Sequence, residues 1–278
     1  MCAICGCDGH HEHEHVHEDG TRHAHAHGQD HHHHDHHDHH HHHDDHVDLE
    51  ARVLAKNDAL AAQNAEWLAH RGVLALNLMG APGCGKTTLL ERTIRALGPQ
   101  ALSVIEGDQA TANDADRVRA AGAAVIQVNT GTGCHLDAQM VARGLRELAP
   151  RPGTTVVIEN VGNLVCPALF KLGEQRRVVV LSAAEGDDKP LKYPHMFRAA
   201  DLVLINKVDL LAHVDFSAER ATANARAVNA AVEVLQVSAR SGAGMDAWYR
   251  WLRAELEGLR DRGERRIERP GHPLGVER

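Results

Sequence analysis

The sequence predicts an α/β fold of three layers, in which a mostly parallel central sheet carries helices on both faces and follows a disordered, histidine-rich tail. Three observations indicate this fold. From residue 73 onward, apolar runs of four to six residues alternate with stretches of helical spacing, a glycine-rich loop follows the first run, and the first 46 residues contain few aliphatic side chains. Continuous Val, Ile and Leu runs are typical of strands buried on both faces, as in a parallel sheet covered by helices.

The N-terminal segment has an extreme composition. Twenty of the 25 histidines lie between His10 and His46, and the stretch up to Glu50 contains twelve acidic residues against Arg22 alone. Such a stretch cannot form a core, so we predict that residues 1–46 are a disordered, metal-binding tail. Because the whole chain carries a formal charge of −8, the residues after the tail carry about +3 and give no electrostatic indication of nucleic-acid binding.

Membrane insertion and export are not indicated. No run approaches the roughly 20 apolar residues needed to cross a bilayer, and the N-terminus lacks the apolar stretch of a signal peptide. Six cysteines, three of them within the first seven residues, fit a reducing compartment in which thiolates can bind metal. We therefore expect a cytoplasmic protein with no membrane partner.

The elements follow in order after the tail. The Ala- and Leu-rich segment from Val47 predicts a helix that Gly72 ends. Seven apolar runs then predict strands: "VLALNL" at 73, "LSVIE" at 102, "AAVIQV" at 123, "TVVIE" at 155, "RVVVL" at 177, "LVLIN" at 202 and "VEVLQV" at 232. A last helix begins near Gly244, and we expect a domain over 47–260 followed by a flexible end over 261–278.

A phosphate-binding loop follows the first strand. "GAPGCGKTT" matches G-x-x-x-x-G-K-[ST] between a strand and a helix, the context in which such a loop (P-loop) holds nucleotide phosphates. Lys86 would reach the β- and γ-phosphates, Thr87 would bind Mg²⁺, and Cys84 serves as a small filler; a glycine-rich turn without a ligand is the alternative. The predicted nucleotide-binding residues of the loop are Gly80, Gly83, Cys84, Gly85, Lys86, Thr87 and Thr88.

A second motif indicates that the nucleotide is GTP or GDP. "NKVD" follows a strand, where the Asp209 carboxylate can accept from two neighbouring donors of guanine, whereas adenine offers no such pair. The Lys207 stem can cover the base and Asn206 can tie this loop to the P-loop. "VSARSG" also follows a strand and predicts base contacts from Ser238 and Ala239.

Two carboxylates are candidates for catalysis with Lys86. Asp108 in "IEGDQATANDADR" and Glu159 in "VIENVGNLVCP" each follow a strand, where an α/β sheet presents its ligands. Asp108 would lie near Mg²⁺ and the attacking water, and Glu159 would be the acidic end of a second strand. The alternative for each is a helix cap or a solvated carboxylate. GTP hydrolysis requires charge stabilisation and a positioned water, which these residues can supply.

The motifs together resemble a known family. "MCAICGC", "GAPGCGKTTLL", "IEGDQAT", "NTGTGCHLDAQMV", "IENVGNLVCPALF" and "NKVDLL" resemble the HypB family of hydrogenase maturation GTPases, the nickel-incorporation factors of [NiFe] hydrogenases, as far as about Leu252. The related urease GTPases (UreG) usually carry a Cys-Pro-His motif that is absent here. The resemblance implies a slow, Mg²⁺-dependent GTPase that is a homodimer in the GTP state, with hydrogenase maturation proteins and the hydrogenase large subunit as nickel recipients.

The resemblance also implies a metal site shared between two subunits, formed by Cys134, His135 and Cys166. Thiolate and imidazole ligands suit Ni²⁺ and Zn²⁺ alike. A buried cysteine beside a capping histidine is the alternative for the first pair. The tail adds the thiolates of Cys2, Cys5 and Cys7, which with one nitrogen ligand fit the square-planar geometry of Ni²⁺.

The histidine tract is predicted to store several ions, because many weak imidazole ligands do not form one defined site. It is interrupted by Asp and lies behind three cysteines, unlike a purification tag. The predicted function is GTP-dependent delivery of nickel with storage in the tail. Two alternatives stay open: nickel storage or detoxification alone, and delivery to urease.

Overall fold

The computed structural model describes the backbone of residues 15–16, 22–23, 42–108, 113–131 and 135–267, and side chains over 51–107, 113–131 and 135–262. The chain divides into two compact units, Met1–Val53 and Leu54–Arg278. The remainder of the predicted tail lies outside the described residues, and its disorder stays a prediction.

The N-terminal unit contains two short strands that the sequence did not predict. Strands β1 (His15–Val16) and β2 (Arg22–His23) pair antiparallel. Helix α1 (His42–His70) begins before the predicted helix start at Val47. The two domain boundaries proposed from composition therefore both fall inside helices, since the last helix also runs past residue 260 to Ile267.

The large unit is built on seven strands joined by helices. The strands are β3 (Leu74–Gly80), β4 (Leu102–Asp108), β5 (Val125–Asn129), β6 (Thr155–Glu159), β7 (Arg176–Ser182), β8 (Leu202–Asn206) and β9 (Glu233–Gln236). The helices are α2 (Lys86–Leu97), α3 (Asn113–Ala120), α4 (Ala138–Leu148), α5 (Cys166–Leu169), α6 (Lys189–Lys192), α7 (Pro194–Arg198), a 3-10 turn (Val208–His213), α8 (Ala218–Val228) and α9 (Met245–Ile267).

The sheet confirms the predicted fold class, a three-layer α/β fold of the P-loop NTPase type. Its strand order is β5-β4-β6-β3-β7-β8-β9, and every neighbouring pair is parallel. Strand β3, which leads into the P-loop, lies in the centre between β6 and β7. The carboxyl ends of the parallel strands meet at one edge, so Gly80, Asp108, Glu159 and Asn206 end their strands on the same side of the sheet.

Alternate residues of β3 pack into different core clusters, as the period of a strand requires. Leu74, Leu76 and Leu78 belong to the cluster that includes helices α2, α3 and α9, whereas Ala75 packs in the cluster of α1 and α4. Trp248 of α9 is fully buried in the first cluster. Its indole nitrogen donates to the Thr93 hydroxyl of α2 at 2.9 Å, which fixes the last helix against the helix after the P-loop.

Among the described residues, every helix is too short or too polar to cross a bilayer.

Candidate functional site

The P-loop connects β3 directly to α2. Gly85 has a φ of +103°, and a Cβ there would collide with the side-chain amide of Asn206, so this position requires glycine. The Lys86 ammonium donates to the Gly80 carbonyl at 3.3 Å and is 8 % exposed. The loop thus holds its lysine at a cavity of about 560 Å³, which is large enough for a nucleotide's phosphates.

The guanine motif is already assembled around one asparagine. The Asn206 side chain donates to the Cys84 carbonyl at 2.9 Å and accepts from the Ala239 backbone N–H at 3.0 Å. The Lys207 ammonium donates to the Gly83 carbonyl at 2.7 Å. These bonds tie the P-loop to the "NKVD" loop and to the loop after β9, so the three loops predicted to surround the nucleotide hold fixed relative positions.

The Asp209 carboxylate, which the sequence predicts to contact the base, is held by a hydrogen bond of its own. Ser238 donates its hydroxyl to an oxygen of Asp209, which fixes the direction of the carboxylate. Arg92 of α2 supports the same loop, because its guanidinium donates to the carbonyls of Ala239 at 2.6 Å and Arg240 at 2.7 Å. Arg92 could not be recognised from the sequence, because an arginine within an amphipathic helix does not indicate a partner far along the chain.

Glu159 faces the P-loop from the end of β6. The Thr87 hydroxyl donates to its Oε1 at 3.0 Å, while Oε2 has no hydrogen-bond partner among the described residues. Burial raises the pKa of this carboxyl to about 7, against the opposing effects of the Lys86 charge and the Thr87 hydrogen bond. A hydroxyl and a carboxylate oxygen that meet at the phosphate cavity are hard oxygen donors of the kind Mg²⁺ prefers, so these residues fit that ion.

Asp108 ends β4, the strand next to β6, but its side chain lies outside the described residues. Its predicted role at Mg²⁺ and at the attacking water therefore stays a prediction.

The raised pKa of Glu159 predicts a pH-dependent stability for the nucleotide- and metal-free protein. The folded pKa of about 7 exceeds the ordinary value of 4.5, so the folded state favours the protonated carboxyl. The contribution of Glu159 to the free energy of unfolding is therefore complete below pH 4.5 and is lost as pH rises through about 7. Glu159→Gln should therefore be more stable than the wild type at pH 8, by on the order of 3 kcal/mol, and much closer to it at pH 5. Urea unfolding in EDTA measures this difference, and an identical difference at both pH values would contradict it.

The cavity is also lined by an arginine that no sequence motif identifies. Arg117 of α3 lines it and donates to Glu91 Oε2 at 2.9 Å, to the Thr88 hydroxyl at 3.0 Å and to Asp114 Oδ1 at 3.3 Å. These bonds hold the helix after Asp108 against α2. The sequence feature that could have identified Arg117 is its position at the end of "NDADR", shortly after a predicted catalytic loop.

The described metal candidates lie on neighbouring segments. The His135 ring stacks on Phe170 with centroids 4.0 Å apart, and Phe170 follows the short helix α5 that Cys166 opens. Burial lowers the pKa of the His135 imidazole, against the opposing charge of Asp137, which favours the neutral form that binds metal. Cys166 is 1 % exposed.

The remaining predicted ligands, Cys2, Cys5, Cys7 and Cys134, lie outside the described residues. Within the described ranges, no group of three His, Cys, Asp or Glu side chains could hold a metal ion. Of the three residues predicted for the shared metal site, the described part of the chain contains His135 and Cys166.

Helix α1 forms hydrogen bonds to the segments that follow His135 and Cys166. The Asn57 side chain donates to the Lys171 carbonyl at 2.8 Å and accepts from the Ala138 N–H at 2.9 Å. Asn64 donates to the carbonyls of Ala138 at 2.8 Å and Leu172 at 2.9 Å. Two buried asparagines of one helix thus fix the segment after His135 relative to the segment after Cys166.

The P-loop cysteine is buried as a protonated thiol. Cys84 is 1 % exposed, and burial raises the pKa of its thiol to about 11, although the Lys86 charge opposes the shift. We expect iodoacetamide at pH 7.5 to leave Cys84 unmodified in the folded protein and to modify it in urea, because the thiolate is the reacting form. Peptide mass spectrometry measures this, and rapid labelling of the folded protein would contradict it.

Comparison with known proteins gives consistent matches. The sequence profile described as "CobW/HypB/UreG, nucleotide-binding domain" matches residues 74–236. The hydrogenase maturation factor HypB of Rhizobium leguminosarum bv. viciae is 57 % identical over 207 residues, which cover 74 % of this chain and 69 % of that protein.

Two crystal structures are similar over most of the fold. HypB from Archaeoglobus fulgidus is 41 % identical with a TM-score of 0.68, covering 73 % of this chain and 100 % of the other. HypB from Helicobacter pylori in complex with nickel is 36 % identical with a TM-score of 0.68, covering 74 % of this chain and 96 % of the other.

Proposed function

Because the chain belongs to the HypB family of hydrogenase maturation factors, within the CobW/HypB/UreG group, we propose that it is a slow GTPase that binds nickel and delivers it for [NiFe] hydrogenase maturation. The observation that carries the proposal is the position of Glu159. This carboxylate binds the P-loop through Thr87, and the same connection from β6 leads to Cys166 at the start of α5. A phosphate-facing residue and a predicted nickel ligand are therefore seven positions apart on one segment.

Hydrolysis of GTP to GDP and phosphate needs charge stabilisation and a positioned water more than covalent chemistry. In this proposal Lys86 and the P-loop amides stabilise charge on the phosphates, and Asp108 and Glu159 position the attacking water. A magnesium ion held by Thr87 and Asp108 would supply further charge neutralisation when bound. Asp209 selects the guanine base.

Nickel is the cargo in this proposal. The thiolates of Cys134 and Cys166 and the imidazole of His135 would hold it between two chains, which gives the homodimer of the GTP state its role. The related HypB from Helicobacter pylori was crystallised in complex with nickel, although the same donor types would also hold Zn²⁺. Hydrogenase maturation proteins and the hydrogenase large subunit would receive the ion.

The test is a nickel titration in two nucleotide states. A nucleotide can change nickel affinity only if the GDP and GTP forms bind the ion differently. We expect calorimetry to give different Ni²⁺ affinities with GDP and with a non-hydrolysable GTP analogue, both for the full chain and for a chain starting at Val47. Lys86→Ala should abolish the difference. Equal affinities in the two states would overturn the delivery proposal and leave plain storage.

The tail provides a separate prediction. Deleting residues 10–46 should lower the number of Ni²⁺ ions bound per chain while leaving the GTPase rate unchanged, because the imidazoles store ions and take no part in hydrolysis. Equilibrium dialysis and phosphate release measure the two quantities. A changed GTPase rate with unchanged stoichiometry would contradict this division of roles.

A further inference from the structure

One buried side chain connects the nucleotide cavity to the loop that carries His135. Asn160 follows Glu159 at the end of β6 and is 1 % exposed. Its Oδ1 accepts from the Val161 N–H at 3.0 Å and from the Leu136 N–H at 3.2 Å. Its Nδ2 donates to Oδ1 of Asn77, a residue of the central strand β3, at 3.3 Å. A single amide oxygen thus holds the backbones of two loops, and its two lone pairs are both used.

The first of these loops lies at the nucleotide. Val161 and Gly162 line the cavity that Lys86 and Thr87 also line. A Cβ at Gly162 would lie 3.0 to 3.1 Å from atoms of Pro82, so this backbone packs directly on the P-loop. A change in the P-loop or in the bound phosphates would therefore act on the backbone that Asn160 binds.

The second loop lies at the metal candidates. Leu136 follows His135 directly and is fully buried. The next residue, Asp137, caps α4 by accepting from the Met140 N–H at 2.7 Å. The Leu136 amide is therefore an attachment point between the rigid start of α4 and the His135 position.

We propose that Asn160 is the positioning residue that transmits the nucleotide state to the nickel site, an inference that rests on the proposed function. When Val161 and Gly162 respond to the third phosphate, the shared Oδ1 shifts with them, and the Leu136 amide follows because it is buried and must keep its acceptor. His135 then changes position relative to Cys166. By reciprocity, nickel binding changes the affinity for GTP relative to GDP by the same factor by which exchanging GDP for GTP changes the affinity for nickel.

The experiment uses the full chain in which Cys2, Cys5 and Cys7 are replaced by Ser. In this background, thiolate-to-nickel absorption reports nickel bound by Cys134 and Cys166. Nickel bound by the histidines of the tail does not contribute, because imidazole is not a thiolate. The midpoint of that absorption is measured against Ni²⁺ with GDP and with a non-hydrolysable GTP analogue. We expect the background to show at least about a fivefold ratio of midpoints, in the range of ordinary allosteric coupling. Asn160→Ala should reduce the ratio to below about twofold while GDP affinity stays within threefold.

Asn229→Ala is the matched control. Asn229 also holds backbone groups with its side chain, donating to the Ala200 carbonyl at 2.8 Å and accepting from the Ala231 N–H at 3.1 Å, but it lies between α8 and β9. The Asn229→Ala variant should be less stable than the background but keep the background's ratio of nickel midpoints. Asn160→Ser, which is too short to reach Leu136, serves if the alanine variant does not fold.

Hydrogen exchange on the unsubstituted chain needs no variant. Protection of the Leu136 and Val161 amides should change together between the GDP and GTP-analogue states, and unchanged Leu136 protection would overturn the inference. A full ratio in a folded Asn160 variant would also overturn it, with the proposed function intact. A ratio of one in the background itself would overturn the proposed function, and the inference with it.

Discussion

Asp209→Asn is expected to lower the affinity for GDP by at least about 100-fold and to create affinity for XDP. The Asp209 carboxylate accepts two hydrogen bonds from guanine in the proposed complex, and a site that loses a buried hydrogen-bonding pair rejects its ligand strongly. Xanthine carries a carbonyl where guanine carries an amine, and the asparagine amide can donate to that oxygen. Ser238 can still donate to the new side chain, so the loop should stay in place. Competition against a fluorescent nucleotide measures both affinities.

The control for this exchange is Asp215→Asn. Asp215 lies two residues after the 3-10 turn that contains Asp209 and is fully exposed. Among the described residues its carboxylate approaches Arg220 alone, at 3.9 Å, so its loss should leave GDP affinity unchanged. Unchanged GDP affinity in Asp209→Asn, with no gain for XDP, would show that the base is read elsewhere.

The strands and the two nucleotide-binding motifs were predictable, because each is determined by residues that are neighbours in the sequence. Seven apolar runs predicted the seven strands of the sheet, because strands covered by helices on both faces are rich in apolar residues; the edge strands β5 and β9 are only partly buried. The P-loop and "NKVD" motifs were likewise recognisable, since their glycines and polar residues occupy fixed positions after a strand. The contact from Asn206 to Cys84 was anticipated for the same reason.

The side-chain hydrogen bonds that join distant segments around the site were not predictable from the sequence. Arg92 binds Ala239, Asn57 binds Lys171 and Asn160 binds Leu136, and each pair joins segments that only the folded chain brings together. A buried asparagine or a helical arginine has many possible partners, and its spacing along the chain does not select one. Those side chains are nevertheless the ones that give the loops their relative positions.

Composition also misplaced the helix ends. Helix α1 begins at His42, inside the histidine tract, and α9 continues to Ile267 through a segment rich in Arg and Glu. Charged residues lower the apolar content on which the predicted boundaries relied, yet Arg and Glu are good helix formers. Periodicity of apolar side chains therefore locates the part of a helix that packs, and it understates the length.

Glu159→Gln is expected to lower the GTPase rate by about 100-fold to 1000-fold while GDP affinity stays within threefold. Glutamine keeps the shape of the side chain, and its carbonyl oxygen can still accept from Thr87, so only the charge and the proton-accepting capacity are lost. A positioned acid or base contributes a factor in this range. Single-turnover phosphate release measures the chemical step, and nucleotide competition measures binding.

The matched control is Asp114→Asn. Asp114 lines the same cavity, but its carboxylate accepts from Arg117 on its own helix, so its loss should change the rate much less. Recovery of the Glu159→Gln rate at high Mg²⁺ would mean that the carboxylate acts chiefly by holding the ion. A rate that stays low at every Mg²⁺ concentration would place the effect on the attacking water, and a wild-type rate would remove Glu159 from catalysis. Since Asn160 follows Glu159 directly, a wild-type rate combined with lost nickel coupling would assign this strand end to communication alone.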